Sequence, residues 1–414
     1  MARRRHPHPV EYNILLTATM CLLAAGAVMV FSASSARTLL SGQGPGTEYL
    51  IRYVAFGAVG FGVMHLIARR KLTTILQFTG PLLAFAFACL IAVKIPGLGV
   101  EVNGARRWLG AGPLTFQPSE LMKLALILYS AKLLAERPRI MRRWQNLTPL
   151  GLVVGSAALL VASQPDLGTT LVICMTIAAM LVAAGIPIRW LATIGAAGGA
   201  LVFIYALSAP YRRERLISFL DPWAHAGDEG FQVVQGQIAL GSGGLFGRGI
   251  GESLQKNLFL PEAHTDFILA IIGEELGVVG VLGVLFLYGL VAYAGLRVAR
   301  NAHGRYAKLL AAGITSLVLC QALLNMSTVL GLAPLTGVPL PFISYGSTNL
   351  IVLLAGMGVL LNIANGGQAT LRVVSSSDAR GSRRHGSSTA DRDRRRWDGR
   401  ARGAGAVGGR RAAG

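Results

Sequence analysis

Residues 260–296 read LPEAHTDFILAIIGEELGVVGVLGVLFLYGLVAYAGL, a charged segment running into a long apolar stretch broken only by Glu274 and Glu275. Roughly 20 predominantly apolar residues suffice to cross a bilayer as a helix, and this stretch is longer. Charge at the edge of hydrocarbon is costly and is kept mainly where it has a task or a partner. Glu262, His264 and Asp266 gather where the chain leaves water for lipid. Thr265 or Asp266 before an apolar run is also an ordinary helix start. The histidine and glutamate alongside favour a function, and Asp266 is the candidate base acting on a lipid-linked substrate.

Working outward, similar runs recur near 12–32, 49–67, 75–95, 117–135, 148–163, 167–185, 190–208, 266–296, 307–332 and 346–364. The chain is 53% hydrophobic and 14% charged, with a mean hydropathy of +0.54. A soluble protein of 414 residues needs more polar surface than that. The expected fold is therefore an all-α polytopic membrane protein of about ten transmembrane helices.

The net charge of +20 does not point to nucleic acid. Residues 366–414 hold twelve arginines against four aspartates, and most other basic residues fall in alternate short loops. Basic short loops belong in the cytoplasm, which puts both termini inside. Segments 33–48, 96–116, 209–265 and 333–345 then face outward, with the turn Gln164-Pro165-Asp166. The expected organisation is a basic leader over 1–11, one membrane domain over 12–365, and a tail over 366–414. That tail is rich in Gly, Ser and Arg and should be disordered. It could lean on anionic inner-leaflet lipid, although fixing topology is the plainer role.

The first apolar run lacks a cleavage site and reads as a retained helix. No internal repeat of the transporter kind is visible. Cys21, Cys89, Cys174 and Cys320 fall in separate apolar runs without metal-ligand spacing, so small core residues are expected.

The outward segment 209–265, the large loop between the seventh and eighth spans, is not simple coil. Tyr211–Leu220 reads as a short amphipathic helix, and Gly230–Leu240 has helical apolar spacing suited to an interface. The glycine-rich GSGGLFGRGIG at 241–251 has no preceding strand and no βαβ surroundings, which excludes a dinucleotide loop. A pliable loop close to lipid or substrate is the expectation.

Cations able to hold a phosphate or pyrophosphate are Arg106 and Arg107, Lys123, and the cluster at Arg212, Arg213 and Arg215, the last also suited in part to lipid headgroups. Arginine's planar fork suits phosphate oxygens. Lys123 lies about one turn from Glu120 at a span start, either a functional pair or a structural one. Glu274 falls about 80° round the helix from Asp266, so the two need not share a face. Ion pairs to another span are expected for Glu274 and Glu275. PLTGVPLPFISYG at 334–346 carries three prolines and cannot be continuous helix. Broken backbone at membrane depth must be buried or line a cavity, so this segment should wall the same pocket. Ser344 and Ser347 are its candidate substrate contacts.

NGARRW, FQPSELMKLA, QPDLGT, GSGGLFGRGIG, LPEAHTDFILAIIGEELG and PLTGVPLPFISYG, in this order and spacing, resemble the SEDS family of bacterial shape, elongation, division and sporulation proteins. The resemblance covers about residues 12–365. PEAHTDF and the long outward loop are more similar to the cell-division branch than to the elongation branch. The resemblance implies a ten-span peptidoglycan glycosyltransferase that polymerises lipid II at the outer face of the bacterial plasma membrane, at the septum in the division case. It places the family's key aspartate on Asp266, its lysine on Lys123 with Glu120 beside it, and its arginine region on Arg106 and Arg107. The family's Gly-Ser-Ser ending is replaced here by Gly346-Ser347-Thr348-Asn349. A polyprenyl pyrophosphate leaving group calls for cations and leaves room for a divalent ion, magnesium or manganese. The acceptor 4-hydroxyl needs a base, and an α-linked donor giving a β-1,4 product requires inversion without a covalent intermediate. Implied partners are lipid II and the growing polyprenyl-linked strand, a class B penicillin-binding transpeptidase, other divisome proteins and the membrane.

Two other classes compete. A lipid II flippase should line a route through the bilayer with polar groups, whereas the distinctive charges here gather near one mouth. A scaffold recruiting division proteins would leave that cluster without a purpose.

Overall fold

The computed structural model describes residues 8–40, 46–102, 105–111, 114–137, 144–207, 218–227, 230–256, 260 and 263–367. Helices occupy each of the ten apolar runs: α1 Val10–Leu40, α2 Glu48–Ala68, α3 Leu72–Ala92, α4 Pro118–Glu136, α5 Thr148–Ala162, α6 Leu167–Ala183, α7 Ile188–Leu207, α9 Ile268–Asn301, α10 Arg305–Val329 and α11 Ser347–Ala364. A further short helix, α8, covers Phe231–Ser242, where helical spacing was read in the outward segment. Six helices (α1, α2, α3, α9, α10 and α11) are long and apolar enough to cross a membrane, while α5 and α6 are shorter.

The helices are not equivalent. The apolar windows of α10 and α11 are 78% and 83% buried, against 17% for α2 and 22% for α3. The first two form the centre, with α2 packed along α11 and α9, α6 and α4 packed around α10. Polar side chains follow this division. Thr315, Gln321, Asn325 and Thr328 of α10 and Ser119, Glu120, Lys123 and Ser130 of α4 are all buried. In a bilayer such groups must find partners inside the protein.

Segment 96–116, read from the sequence only as outward-facing, holds regular structure: β1 (Gly99–Val102), β2 (Ala105–Ala111) and β3 (Leu114–Phe116) form a small antiparallel sheet within a mostly helical protein. Its strands satisfy one another's backbone groups beside the start of α4. The cysteines are not core residues; Cys21 and Cys174 are exposed and Cys89 and Cys320 half-buried. On a membrane helix the outer face is as apolar as the core, so composition alone does not separate them.

The glycine-rich segment and α9 also depart from expectation. At Gly277 the helix breaks, with φ 67° and ψ −163°. Residues 243–249 lie across the gap and replace the missing helical hydrogen bonds. Arg248 N and Gly249 N donate to the carbonyls of Glu274 and Glu275, while Val278 N and Val279 N donate to those of Gly244 and Leu245. A Cβ at Gly277 would lie within 2.6 Å of Leu245 and Gly247 backbone atoms. The segment is thus a backbone splint for a broken helix rather than a pliable loop, with Leu245 and Phe246 left exposed on it.

Candidate active site

Motifs far apart in the sequence meet at one end of the bundle. Asp166 caps α6 through Thr169 N at 3.1 Å. Its other carboxylate oxygen accepts from Gln117 Nε2 at 3.3 Å and Ser119 Oγ at 3.4 Å at the start of α4. Arg107, from β2, donates to the carbonyls of Gln164 and Pro165 in the α5–α6 turn. Thr348 Oγ1 of α11 accepts from Gln117 N at 3.1 Å. Gly168 packs so closely on Thr336 that a Cβ would fall 2.3 Å from the Thr336 carbonyl oxygen. The sheet, the α4 and α6 starts and the 334–346 segment therefore form one framework.

Below it runs a buried polar chain. Glu120 and Lys123 pair at 2.9 Å, each nearly inaccessible. Lys123 Nζ also donates to Gln321 Oε1 at 2.9 Å. Gln321 Nε2 donates onward to the Pro339 carbonyl at 3.0 Å and to Asn349 Oδ1 at 3.1 Å. One turn along α10, Asn325 Nδ2 donates to the Asp266 carbonyl at 2.7 Å and to the Val338 carbonyl at 2.8 Å. Thr348 and Asn349, the departures from Gly-Ser-Ser, thus have defined partners in this chain.

Asp266 lies in the non-helical segment just before α9, half-buried, with Thr265 Oγ1 donating to its Oδ1 at 3.1 Å. Gly337, with φ 64°, adjoins the other carboxylate oxygen; a Cβ there would sit 3.9 Å from Oδ2. His264 is buried, its ring centroid 4.5 Å from that of Tyr49 and 5.7 Å from that of Tyr345. Tyr345 N donates to the His264 carbonyl at 3.0 Å, joining the two irregular segments. Burial pushes the Tyr345 hydroxyl up from its ordinary pKa, and Arg52 beside it pulls it partly back. Phe342 holds a left-handed φ of 64° while buried. The hydroxyls of Tyr53 and Tyr288 donate to the carbonyls of Phe342 and Pro341, fixing a conformation that a non-glycine residue rarely adopts.

The remaining nominated residues divide. Arg106 is exposed on β2 and pairs with Glu101 at 3.1 Å. Ser344 is buried and its Oγ accepts from Leu340 N at 2.8 Å, closing its own turn. Ser347 is the half-buried first residue of α11. Arg212, Arg213, Arg215 and Glu262 lie outside the described residues, as do residues 1–7 of the 1–11 leader, most of the Tyr211–Leu220 helix and the tail from 368.

Among the described residues, Glu274 and Glu275 form no ion pair with another span. Their cations come from the segment before Asp266: Arg248 lies 3.9 Å from Glu274, and Lys256 lies 2.9 Å from Glu275. Sequence reasoning missed Lys256, Ser32, Gln321 and Asn325. Two amides at i, i+4 inside an apolar run were a readable sign; Lys256 offered none beyond two deep glutamates wanting a cation. Among the described residues, no group of three or more His, Cys, Asp or Glu could hold a metal ion.

A polytopic helical bundle with a carboxylate at the junction of two irregular segments, over a buried polar chain, defines a multi-pass membrane protein whose candidate site lies where those segments meet. The sequence profile of the FtsW/RodA/SpoVE family, described as "Cell cycle protein", matches residues 13–368, and the chain belongs to this family. It is 38% identical over 352 residues to stage V sporulation protein E of Bacillus subtilis, covering 85% of this chain and 96% of that one. It is equally 38% identical over 352 residues to the probable peptidoglycan glycosyltransferase FtsW of Geobacter sulfurreducens, covering 85% and 94%. Among solved structures, a chain of a peptidoglycan synthase complex that coordinates polymerization and crosslinking superimposes with a TM-score of 0.71 at 30% identity, over 86% of this chain and 98% of that one. The rod shape determining protein RodA of Thermus thermophilus gives a TM-score of 0.63 at 29% identity, over 86% and 97%.

Proposed function

We infer that the chain is a multi-pass membrane peptidoglycan glycosyltransferase that polymerises lipid II, with Asp266 as general base. Its family membership and its likeness to FtsW carry the activity. The observation that supports the site is Asp266, half-buried where the 263–267 and 334–346 segments are tied together by Asn325.

In the proposed reaction the acceptor sugar's 4-hydroxyl attacks the donor's anomeric carbon. Its proton passes to the Asp266 carboxylate as the new C–O bond forms. The bond to polyprenyl pyrophosphate breaks on the opposite face, inverting the centre. Thr265 holds one carboxylate oxygen, and Gly337 adjoins the other. Arg107 and Lys123 brace the framework through carbonyls and Gln321. Arg106, with Arg212 and Arg213, is the proposed contact for the pyrophosphate. Among the described residues no group of three or more His, Cys, Asp or Glu gathers for a resident metal ion; a divalent cation would arrive with the pyrophosphate as part of the substrate.

The complex that couples polymerization to crosslinking favours a class B transpeptidase as partner, and likeness to FtsW favours work at the septum. Purified chain with that partner, supplied with lipid II, is expected to make glycan polymer, and Asp266→Asn to make it about 10²–10⁴-fold more slowly. Lipid II crossing vesicle membranes without polymer from the wild type would overturn this reading in favour of a flippase.

A further inference from the structure

We propose that Lys256 is a positioning residue for Asp266, the cation of a buried clasp that closes the chain segment carrying the base. This rests on the reading of Asp266 as the base. Lys256 and Glu275 are nineteen positions apart and flank Asp266 on either side. Their ion pair, at 2.9 Å with side chains 4% and 0% exposed, joins the two ends of the segment 256–275 into a ring.

The clasp is fully bonded. Lys256 Nζ donates to Glu275 Oε1, to Ser32 Oγ at 3.1 Å and to the Gly251 carbonyl at 2.6 Å, which uses all three ammonium protons. Ser32 of α1 in turn donates to the Glu275 carboxylate at 2.6 Å. Next to it, Glu274 receives the Ser253 hydroxyl and the backbone N–H groups of Leu254 and Gln255, the turn leading into Lys256. Both glutamates sit immediately before the break at Gly277, so the clasp and the glycine-rich splint grip the same point of α9. Removing one partner of such a buried pair leaves the other charge uncompensated, which is strongly destabilising. The ring between its ends contains His264, Thr265 and Asp266, and its far side is held to Tyr345 and Asn325. Loosening its base therefore moves the carboxylate relative to the 334–346 wall.

The test is polymerisation kinetics on purified, partner-bound enzyme. Lys256→Met is expected to lower kcat by about 10²-fold with KM for lipid II little changed, the size expected from a misplacement near 1 Å. Lys256→Arg should restore most of kcat, because it keeps the charge and the donors. In an Asp266→Asn background, Lys256→Met should lower residual activity no further, since the two act on one step. Wild-type kcat in Lys256→Met, alongside loss in Asp266→Asn, would overturn the clasp and leave the base in place. Full activity in Asp266→Asn would overturn both. If Lys256→Met fails to fold, Ser32→Ala provides the same readout with a smaller perturbation, and an unchanged kcat there would also overturn the proposal.

Discussion

Two buried lysine–glutamate pairs, each 2.9 Å long, do different work in this molecule. Glu120–Lys123 is local, three residues apart on α4, and its lysine reaches across to Gln321 on α10. Lys256–Glu275 is non-local, bringing a loop lysine to a helix break with Ser32 of α1 as third member. The first pair bridges two helices that α4–α10 packing already holds together. The second ties the segment before Asp266 to the helix after it, beside the Glu274 bonds that grip the same turn. A local pair thus braces a scaffold, and a distant one sets the position of the segment it encloses.

The largest effect should come from leaving either carboxylate alone in the interior. Lys123→Met strands Glu120, and Lys256→Met strands Glu275; each should destabilise the protein by about 3–5 kcal/mol. Thermal unfolding in detergent would measure it. The comparison sharpens with a second change. Adding Glu120→Gln to Lys123→Met should recover most of the lost stability, and activity with it. Adding Glu275→Gln to Lys256→Met should recover stability while kcat stays low. Equal recovery of kcat in both would erase the distinction.

Gly277→Ala comes next. It forces a side chain into a left-handed position against the backbone of Leu245 and Gly247, at a cost of about 1–3 kcal/mol for the conformation before the clash is counted. Hydrogen exchange should then rise over 243–249 and 274–279 together, because those segments share hydrogen bonds. Exchange confined to one of them would contradict the splint. At the small end, Arg106→Gln removes an exposed pair with Glu101 and should change stability by less than about 1 kcal/mol. Its expected effect is on KM for lipid II.

The ten helices and the position of Asp266 were legible because span length and composition are strong signals and the charged segment stands against an apolar run. The Glu120–Lys123 pair was legible for the same reason that it is local: helical spacing puts i and i+3 together. Lys256 and Ser32 were not, since their partner lies nineteen and 243 positions away and no periodicity links them. The break at Gly277 was hidden among several glycines, and only the backbone bonds from 243–249 distinguish it. The sheet over 99–116 was missed because its strands are three to seven residues long, with no sustained alternation.

The measurement closest to the central claim is single-turnover polymerisation of lipid II by Asp266→Asn, in a preparation that unfolds at the wild-type temperature and binds lipid II as tightly. General-base catalysis predicts a rate about 10²–10⁴-fold below wild type, with binding intact. A rate within a few-fold of wild type would remove Asp266 from the chemistry.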